Sequence, residues 1–205
     1  MNSPYTVLAI GAHPDDIELG CGGSLAKLAS RGARVHALSL THGAEGAVAG
    51  VNRCAESDAA LTALGACEVT HCDFADTQLS ASFAQMVRVL EQALARLAPH
   101  RVYTMYREDR HQDHRTVFDA SIIACRTVPQ VLCYETPSAW QTFAPQLYED
   151  ISGFLDRRID ALRMHESQRG RRYMQEDQVR CLAHFRGHQV SAGPSEAFIA
   201  HRMVL

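Results

Sequence analysis

The sequence predicts a single α/β domain, a Rossmann-like three-layer sandwich with a mostly parallel sheet. Three observations predict this fold: short apolar runs alternate with amphipathic segments, a glycine follows the first apolar run, and no segment is repeated. A chain of 205 residues is long enough to bury one core. We therefore expect residues 1–205 to form one domain.

The individual elements follow from hydrophobic patterns. Strands are predicted at short apolar or alternating runs, which are residues 7–10, 35–40, 67–72, 101–105, 131–135 and 197–205. Helices are predicted where apolar residues recur at helical spacing, in residues 22–31, 51–64, 83–97, 115–125, 151–162 and the arginine-rich 169–180. Gly32, Gly65 and Pro99 follow three of these helices and are typical helix stops. Loops are predicted at residues 41–50, 73–80 and 136–148.

Composition excludes several classes of protein. A formal net charge of −3, with 46% hydrophobic and 21% charged residues, offers no basic field for nucleic acid. The amino terminus has no basic segment followed by a long apolar one, so we expect neither a signal peptide nor a membrane span, and a cytoplasmic location. The glycines at 20–24 lack the spacing of a dinucleotide fingerprint, and no Walker loop is present.

The cysteines indicate a reduced protein. There are seven, an odd number, and none forms a C-x-x-C pair, which argues against a disulfide framework and a zinc ribbon. We expect most of them to be buried thiols. Cys21 lies beside the site predicted below, and we expect it to be structural.

A cluster of polar side chains follows the first strand, within the stretch AHPDDIELGCGG at 12–23. His13, Asp15 and Asp16 would lie at the carboxyl end of that strand, where ligands bind in open α/β sheets. Buried carboxylates are costly unless they are paired or bound to a metal. Taken alone, the stretch is also compatible with a solvated turn in which Asp16 caps the next helix.

A second cluster, HQDH at 111–114, follows the strand predicted at 101–105. If both strands lie in one parallel sheet, the two clusters meet at the same edge. Imidazole nitrogens and a carboxylate oxygen are the ligands of a catalytic zinc, which uses three protein ligands and leaves a position for water. Fe²⁺, Co²⁺ or Mn²⁺ would accept the same ligands.

These two motifs resemble those of the LmbE-like, or PIG-L, deacetylases, zinc enzymes that remove acetyl groups from N-acetylated sugars. The resemblance covers nearly the whole chain in the family's order. Its weaker matches are THGAEG at 41–46, Arg53 and Glu56 ahead of ALG at 63–65, HESQ at 165–168 and SEAF at 195–198. The resemblance also implies a homo-oligomer.

We expect His13, Asp16 and His114 to hold one Zn²⁺ per chain. Asp15 cannot easily bind the same ion as its neighbour, so it is the candidate general base that passes a proton to the leaving amine. The resemblance implies the same division of roles.

The second cluster supplies two further candidates for catalysis. Protonated His111 is expected to stabilise the oxyanion of the tetrahedral intermediate, with Asp113 holding its other nitrogen. From the residues alone, either His111 or His114 is the third metal ligand; the resemblance favours His114.

Three residues are candidates for substrate binding. The resemblance implies that Arg53 lies near the site and contacts the substrate or the carboxylate product. His42 and Glu45 follow a strand and could line a pocket, although a solvated loop is the alternative for each. For Trp140 we expect core or interface packing rather than carbohydrate stacking.

The predicted function is a zinc-dependent hydrolase that deacetylates a small N-acetylated amino sugar or sugar conjugate, with no nucleic-acid or membrane partner. One alternative is a metal-dependent phosphoesterase, which would be expected to carry more carboxylates or a second metal site. A non-catalytic sugar-binding protein is disfavoured by the intact Asp15, and a structural zinc site by the absence of a fourth ligand.

Overall fold

The computed structural model describes residues 4–47 and 50–204. Within these residues seven strands form one sheet: β1 (Thr6–Gly11), β2 (Arg34–Thr41), β3 (Ala66–Phe74), β4 (Arg101–Thr104), β5 (Gln130–Tyr134), β6 (Leu147–Asp150) and β7 (Ser195–Met203). The α-helices are α1 (Asp16–Ser30), α2 (Arg53–Ala63), α3 (Phe83–Leu97), α4 (Gln112–Ala124), α5 (Leu155–Arg163) and α6 (Glu176–His188).

The sheet has the strand order β3-β2-β1-β4-β5-β7-β6. The first five strands in that order run parallel, and β7 is antiparallel to both of its neighbours. The predicted fold class, a mostly parallel Rossmann-like sheet, is confirmed. Because β1 and β4 are parallel neighbours, with Ala9 opposite Tyr103, their carboxyl ends meet at one edge.

The central strand β1 is buried along its whole length. Helix α1 packs closely over this part of the sheet, because Gly20 lies directly against the Tyr134 ring. A Cβ at Gly20 would be 2.1 Å from Tyr134 Cδ2. Helix α1 is also interrupted at Cys21, where φ is −146°. The first turn of α1 is thereby held directly against the end of β1.

Four segments differ clearly from their predictions. Helices α1 and α4 begin at Asp16 and Gln112, before the predicted starts, because polar site residues fill their first turns and hide the apolar period. Strand β6 lies at the border of the predicted loop 136–148 and pairs only with β7. The predicted helix 169–180 is wrong in its first half, where Arg172–Met174 form a 3-10 turn before α6 begins.

The cysteines and Trp140 also depart in part from expectation. Cys21, Cys125 and Cys133 are buried thiols as predicted, whereas Cys67 and Cys181 are exposed. Trp140 is 54% exposed, so it does not lie in the core, and packing at an interface stays a prediction. None of the described helices combines the length and the apolar composition needed to cross a bilayer.

Candidate active site

A cavity of about 520 Å³ opens at the carboxyl edge of the sheet, a size in the usual range for small-molecule sites. It is lined by His13, Asp15, Asp16, Leu19, Glu45, Gly46, Arg53, Asp76, Thr77, Arg110, His111, His114, Pro137, Ser138, Gln168, Arg171 and Tyr173. Both motif clusters therefore contribute to one cavity, as the parallel sheet predicts.

Three side chains that could hold a metal ion converge at the buried end of this cavity. His13, Asp16 and His114 offer donor atoms that all lie within 4.8 Å of one another. The two Asp16 oxygens face different rings: Oδ2 lies 3.3 Å from His13 Nδ1, and Oδ1 lies 3.3 Å from His114 Nε2. The Asp16 carboxylate is held in place because Oδ2 accepts the backbone N–H groups of Ala12 and His13.

Each of the two imidazoles has a carboxylate on its other nitrogen. His13 Nε2 lies 3.1 Å from Asp76 Oδ1 and 3.3 Å from Asp113 Oδ2, and His114 Nδ1 lies 2.9 Å from Asp109 Oδ2. This arrangement is typical of histidines that bind metals, because the outer carboxylate fixes the tautomer and the ring orientation.

The electrostatics of the cluster favour positive charge. Burial disfavours protonation of both rings, but the neighbouring carboxylates outweigh it and raise the pKa of His13 well above its ordinary value. For His114, burial again lowers the pKa, but the carboxylates of Asp16 and Asp109 outweigh it and raise the pKa to about 9. The donor set and its charge thus fit a divalent cation.

A second group of donors, His13, His111 and Asp113, also satisfies the distance criterion for a metal site. Its Asp113 carboxylate accepts the backbone N–H groups of Thr77 at 2.7 Å and Leu79 at 3.3 Å. These bonds tie the loop after β3 to the start of α4.

Asp15 lies beside the metal-binding group in a strained backbone conformation. Its φ of 120° is rare for a residue with a side chain, and such strain costs about 1–3 kcal/mol and clusters at functional sites. Arg53 holds the side chain, with Nη2 at 3.1 Å from Asp15 Oδ2. Burial and the neighbouring Asp16 carboxylate nevertheless raise the pKa of Asp15 to about 7, against the opposing charges of Arg53 and His165.

His111 is half-buried and stacks on His114, with ring centroids 4.6 Å apart. The expected contact between the Asp113 carboxylate and the His111 ring is wrong. Instead His111 Nδ1 accepts the backbone N–H of Asp113 at 3.2 Å as the N-cap of α4, while the carboxylate faces His13. Burial, together with the charges of His114 and His13, lowers the pKa of His111.

Residues 8–125 match the PIG-L family, which is described as GlcNAc-PI de-N-acetylase. The chain belongs to the PIG-L (LmbE-like) family. The uncharacterized deacetylase YaiS of Escherichia coli is 46% identical over 172 residues, which are 81% of this chain and 93% of that protein.

Two proteins of lower sequence identity resemble the chain as well. The diacetylchitobiose deacetylase of Thermococcus kodakarensis is 26% identical over 82% of this chain and 73% of its own length. The crystal structure of a conserved Thermus thermophilus protein superposes with a TM-score of 0.86 at 28% identity, covering 97% of this chain and 95% of that one.

The three predicted substrate-binding residues of this PIG-L chain are placed differently from one another. Glu45 lines the cavity, but His42 does not: it is exposed, and its Nε2 lies 3.2 Å from Asp73 Oδ1. Arg53 lines the cavity, yet its guanidinium is engaged by Asp15 and by the carbonyls of Pro14 and Gly43. Its geometry suits holding Asp15 better than contacting a substrate.

The turn at 165–168, a weak family match in the sequence, contacts the two helices that carry Asp16 and Arg53. His165 and Glu18 are both buried and lie 2.9 Å apart, and Ser57 donates to the same Glu18 oxygen. Ser167 donates to Glu56 through its backbone and its hydroxyl. Helices α1 and α2 are therefore both tied to this turn.

Sequence reasoning assigned no role at the site to two residues that contact His13 and His114. Asp109 was not singled out, although it precedes His114 by five residues in the same polar cluster. Asp76 could equally be a turn former or a pocket residue from its sequence context, and it lines the cavity. A local signal existed only for Asp109, because Asp76 is distant from both motifs in the sequence.

Proposed function

We propose that this PIG-L chain is a metal-dependent N-deacetylase that hydrolyses a small N-acetylated amino sugar or sugar conjugate. The observation that carries the proposal is the convergence of His13, Asp16 and His114 beside Asp15 in one cavity. Two named relatives support it, since one is called a deacetylase and the other a diacetylchitobiose deacetylase.

The metal in this proposal is Zn²⁺, held by His13, Asp16 and His114, with one open position as in catalytic zinc sites. When bound, the ion supplies Lewis acidity toward a carbonyl oxygen and makes water more acidic. Asp76, Asp109 and Asp113 orient the two histidines through their outer nitrogens.

Asp15 is the proposed general base. It would accept a proton from the attacking water as the C–O bond forms, and deliver it to the nitrogen as the amide C–N bond breaks. A pKa of about 7 suits this role, because the group then gains and loses a proton with little driving force. Arg53 keeps the carboxylate aimed into the cavity.

His111 is the proposed donor to the oxyanion. Because its Nδ1 accepts the N–H of Asp113, the proton of the neutral ring lies on Nε2. That Nε2–H group can donate a hydrogen bond to a developing oxyanion without the ring being charged. The proposal therefore keeps the role predicted for His111 but not its support by the Asp113 carboxylate.

The decisive experiment measures metal content together with acetate release from N-acetylglucosamine and N,N'-diacetylchitobiose. We compare the wild type with Asp15→Asn and His114→Ala, and use His42→Ala as the control because His42 lies outside the cavity lining. We expect Asp15→Asn to keep about one metal per chain. Its rate of acetate release should fall by about 100-fold or more. His114→Ala should lose both the metal and the acetate release, whereas His42→Ala should keep both.

Two results would contradict the assignment. Acetate release by Asp15→Asn at the wild-type rate would exclude Asp15 as the base. Full metal content in His114→Ala would exclude His114 as a ligand. If the wild type hydrolysed a phosphomonoester and released no acetate, the phosphoesterase alternative would be favoured instead.

A further inference from the structure

Two arginines at the rim of the cavity are not used by the proposed chemistry. Arg110 and Arg171 both line the cavity and are exposed, and neither forms an ion pair with any residue that the structure describes. We propose that they bind an anionic substituent of the substrate, a phosphate or a carboxylate. This inference rests on the deacetylase function proposed above and names the substrate class.

Arg110 is oriented in advance for such a ligand. Its Nε donates to the Ser138 carbonyl and its Nη2 to the Pro137 carbonyl, both at 3.1 Å. Its backbone N–H also donates to Ser138 O at 3.0 Å. Since Pro137 and Ser138 line the cavity themselves, the guanidinium is held at the rim, and less conformational entropy is lost when an anion binds.

Arg171 reaches the rim from a different part of the chain, between α5 and α6. Its backbone N–H donates to Gln168 O at 2.9 Å, and Gln168 is buried and donates in turn to Gly46 O. The backbone at Arg171 is therefore anchored to the cavity wall, while its guanidinium has no hydrogen bond to the described residues.

The charges of the cavity separate into two zones. At the buried end, Asp15, Asp16 and Asp76 are all paired with Arg53 or with a histidine. Among the described residues that line the cavity, Glu45 is the one carboxylate without an ion pair, against the two arginines.

The rim therefore carries a net positive charge, which an uncharged sugar would not need. A phosphate or carboxylate matches the forked geometry of a guanidinium and binds it through charge-assisted hydrogen bonds.

The test compares acetate release from uncharged N-acetylglucosamine with three anionic substrates: its 1-phosphate, its 6-phosphate, and N-acetylmuramic acid, which carries a carboxylate. Wild type, Arg110→Gln and Arg171→Gln are measured, with Arg107→Gln as the matched control because Arg107 is exposed but outside the cavity lining. We expect the wild type to prefer at least one anionic substrate.

For the preferred substrate, each rim variant should lower kcat/KM by about tenfold, mainly through KM, as expected for a lost hydrogen bond to a charged group. Turnover of N-acetylglucosamine should stay within about threefold of wild type, because the rim charge makes no contact with it. Glu45→Gln should increase kcat/KM for the anionic substrate, since it removes the repelling charge.

A separate binding measurement distinguishes failure of this inference from failure of the proposed function. Inorganic phosphate is titrated calorimetrically into the wild type and into the double variant Arg110→Gln/Arg171→Gln. Binding that the double variant loses supports the rim site even if no substrate is deacetylated. Equal phosphate binding by both proteins would overturn the inference. So would rim variants that lose as much activity toward N-acetylglucosamine as toward the anionic substrates.

Discussion

Asp109→Asn is the substitution that best separates metal binding from folding. Asp109 is fully buried, and its carboxylate faces two sides. Oδ1 accepts the backbone N–H of His111 at 2.8 Å, while Oδ2 lies 2.9 Å from His114 Nδ1 and accepts the Thr136 hydroxyl. Asparagine has nearly the same volume, so the cavity is not altered.

The orientation of the new amide follows from these partners. Its oxygen must face the N–H of His111, because a buried N–H without an acceptor costs about 1–3 kcal/mol. Its NH₂ group then faces His114 Nδ1, which must become an acceptor. The proton of the ring therefore moves to Nε2, the nitrogen that lies 3.3 Å from Asp16 Oδ1 and is the proposed metal donor.

The expected result is a loss of metal affinity in a protein that still folds. Changes to the outer partner of a metal-binding histidine cost about 10- to 100-fold in affinity, or about 1.4–2.7 kcal/mol. The free energy of unfolding of the metal-free protein should fall by about 1.5–3 kcal/mol, because the His114 ring, whose pKa is raised to about 9, loses one of its two carboxylate partners.

The assay is a titration of metal-free protein with Zn²⁺ in competition with a chromophoric chelator, together with urea unfolding. Asp119→Asn is the control, because Asp119 is exposed on α4 and should change neither quantity. If folded Asp109→Asn bound Zn²⁺ within about threefold of wild type, the tautomer argument would be refuted.

Two further predictions concern packing and thiol reactivity. Gly20→Ala should lower the free energy of unfolding by about 3 kcal/mol, because its Cβ would lie 2.1 Å from the Tyr134 ring. The control is Gly153→Ala, whose Cβ meets open space. A urea midpoint equal to that of the control would contradict the prediction. In native protein a thiol reagent followed by mass spectrometry should modify the exposed Cys67 and Cys181 first, and faster labelling at a buried cysteine would show that the described burial is wrong.

Most of the fold could be predicted from the sequence, because apolar period and helix stops are local signals. The predicted helix over 83–97 coincides with α3, whose amphipathic pattern continues to its end. The starts of α1 and α4 could not be predicted, since polar site residues interrupt the apolar period in their first turns. Strand β6 is short and lies at the sheet edge, so it has no buried run to reveal it.

The substrate-binding predictions were least successful where the sequence signal was only position after a strand. Glu45 and His42 are three residues apart on the same loop, yet only Glu45 lines the cavity. The two are separated by a residue with positive φ, Gly43, which turns the chain. Such a turn redirects side chains in a way that a pattern of residue types does not encode.

The sequence by itself determined the family and the two polar clusters that form the candidate site. His13, Asp15 and Asp16 occupy four consecutive positions at the end of one strand, so they share one edge of the sheet however the remaining chain folds. The motif at 111–114 likewise places its polar residues together, between the end of β4 and the first turn of α4.

Only the tertiary structure decided how those residues are supported. It assigned Asp76 and Asp113 to His13 and Asp109 to His114, and it bound Arg53 to Asp15. It also brought Arg110 and Arg171 to one rim. Except for Asp109 with His114, these contacts join segments far apart in the chain. They therefore depend on strand order, register and loop path, which local residue patterns do not contain.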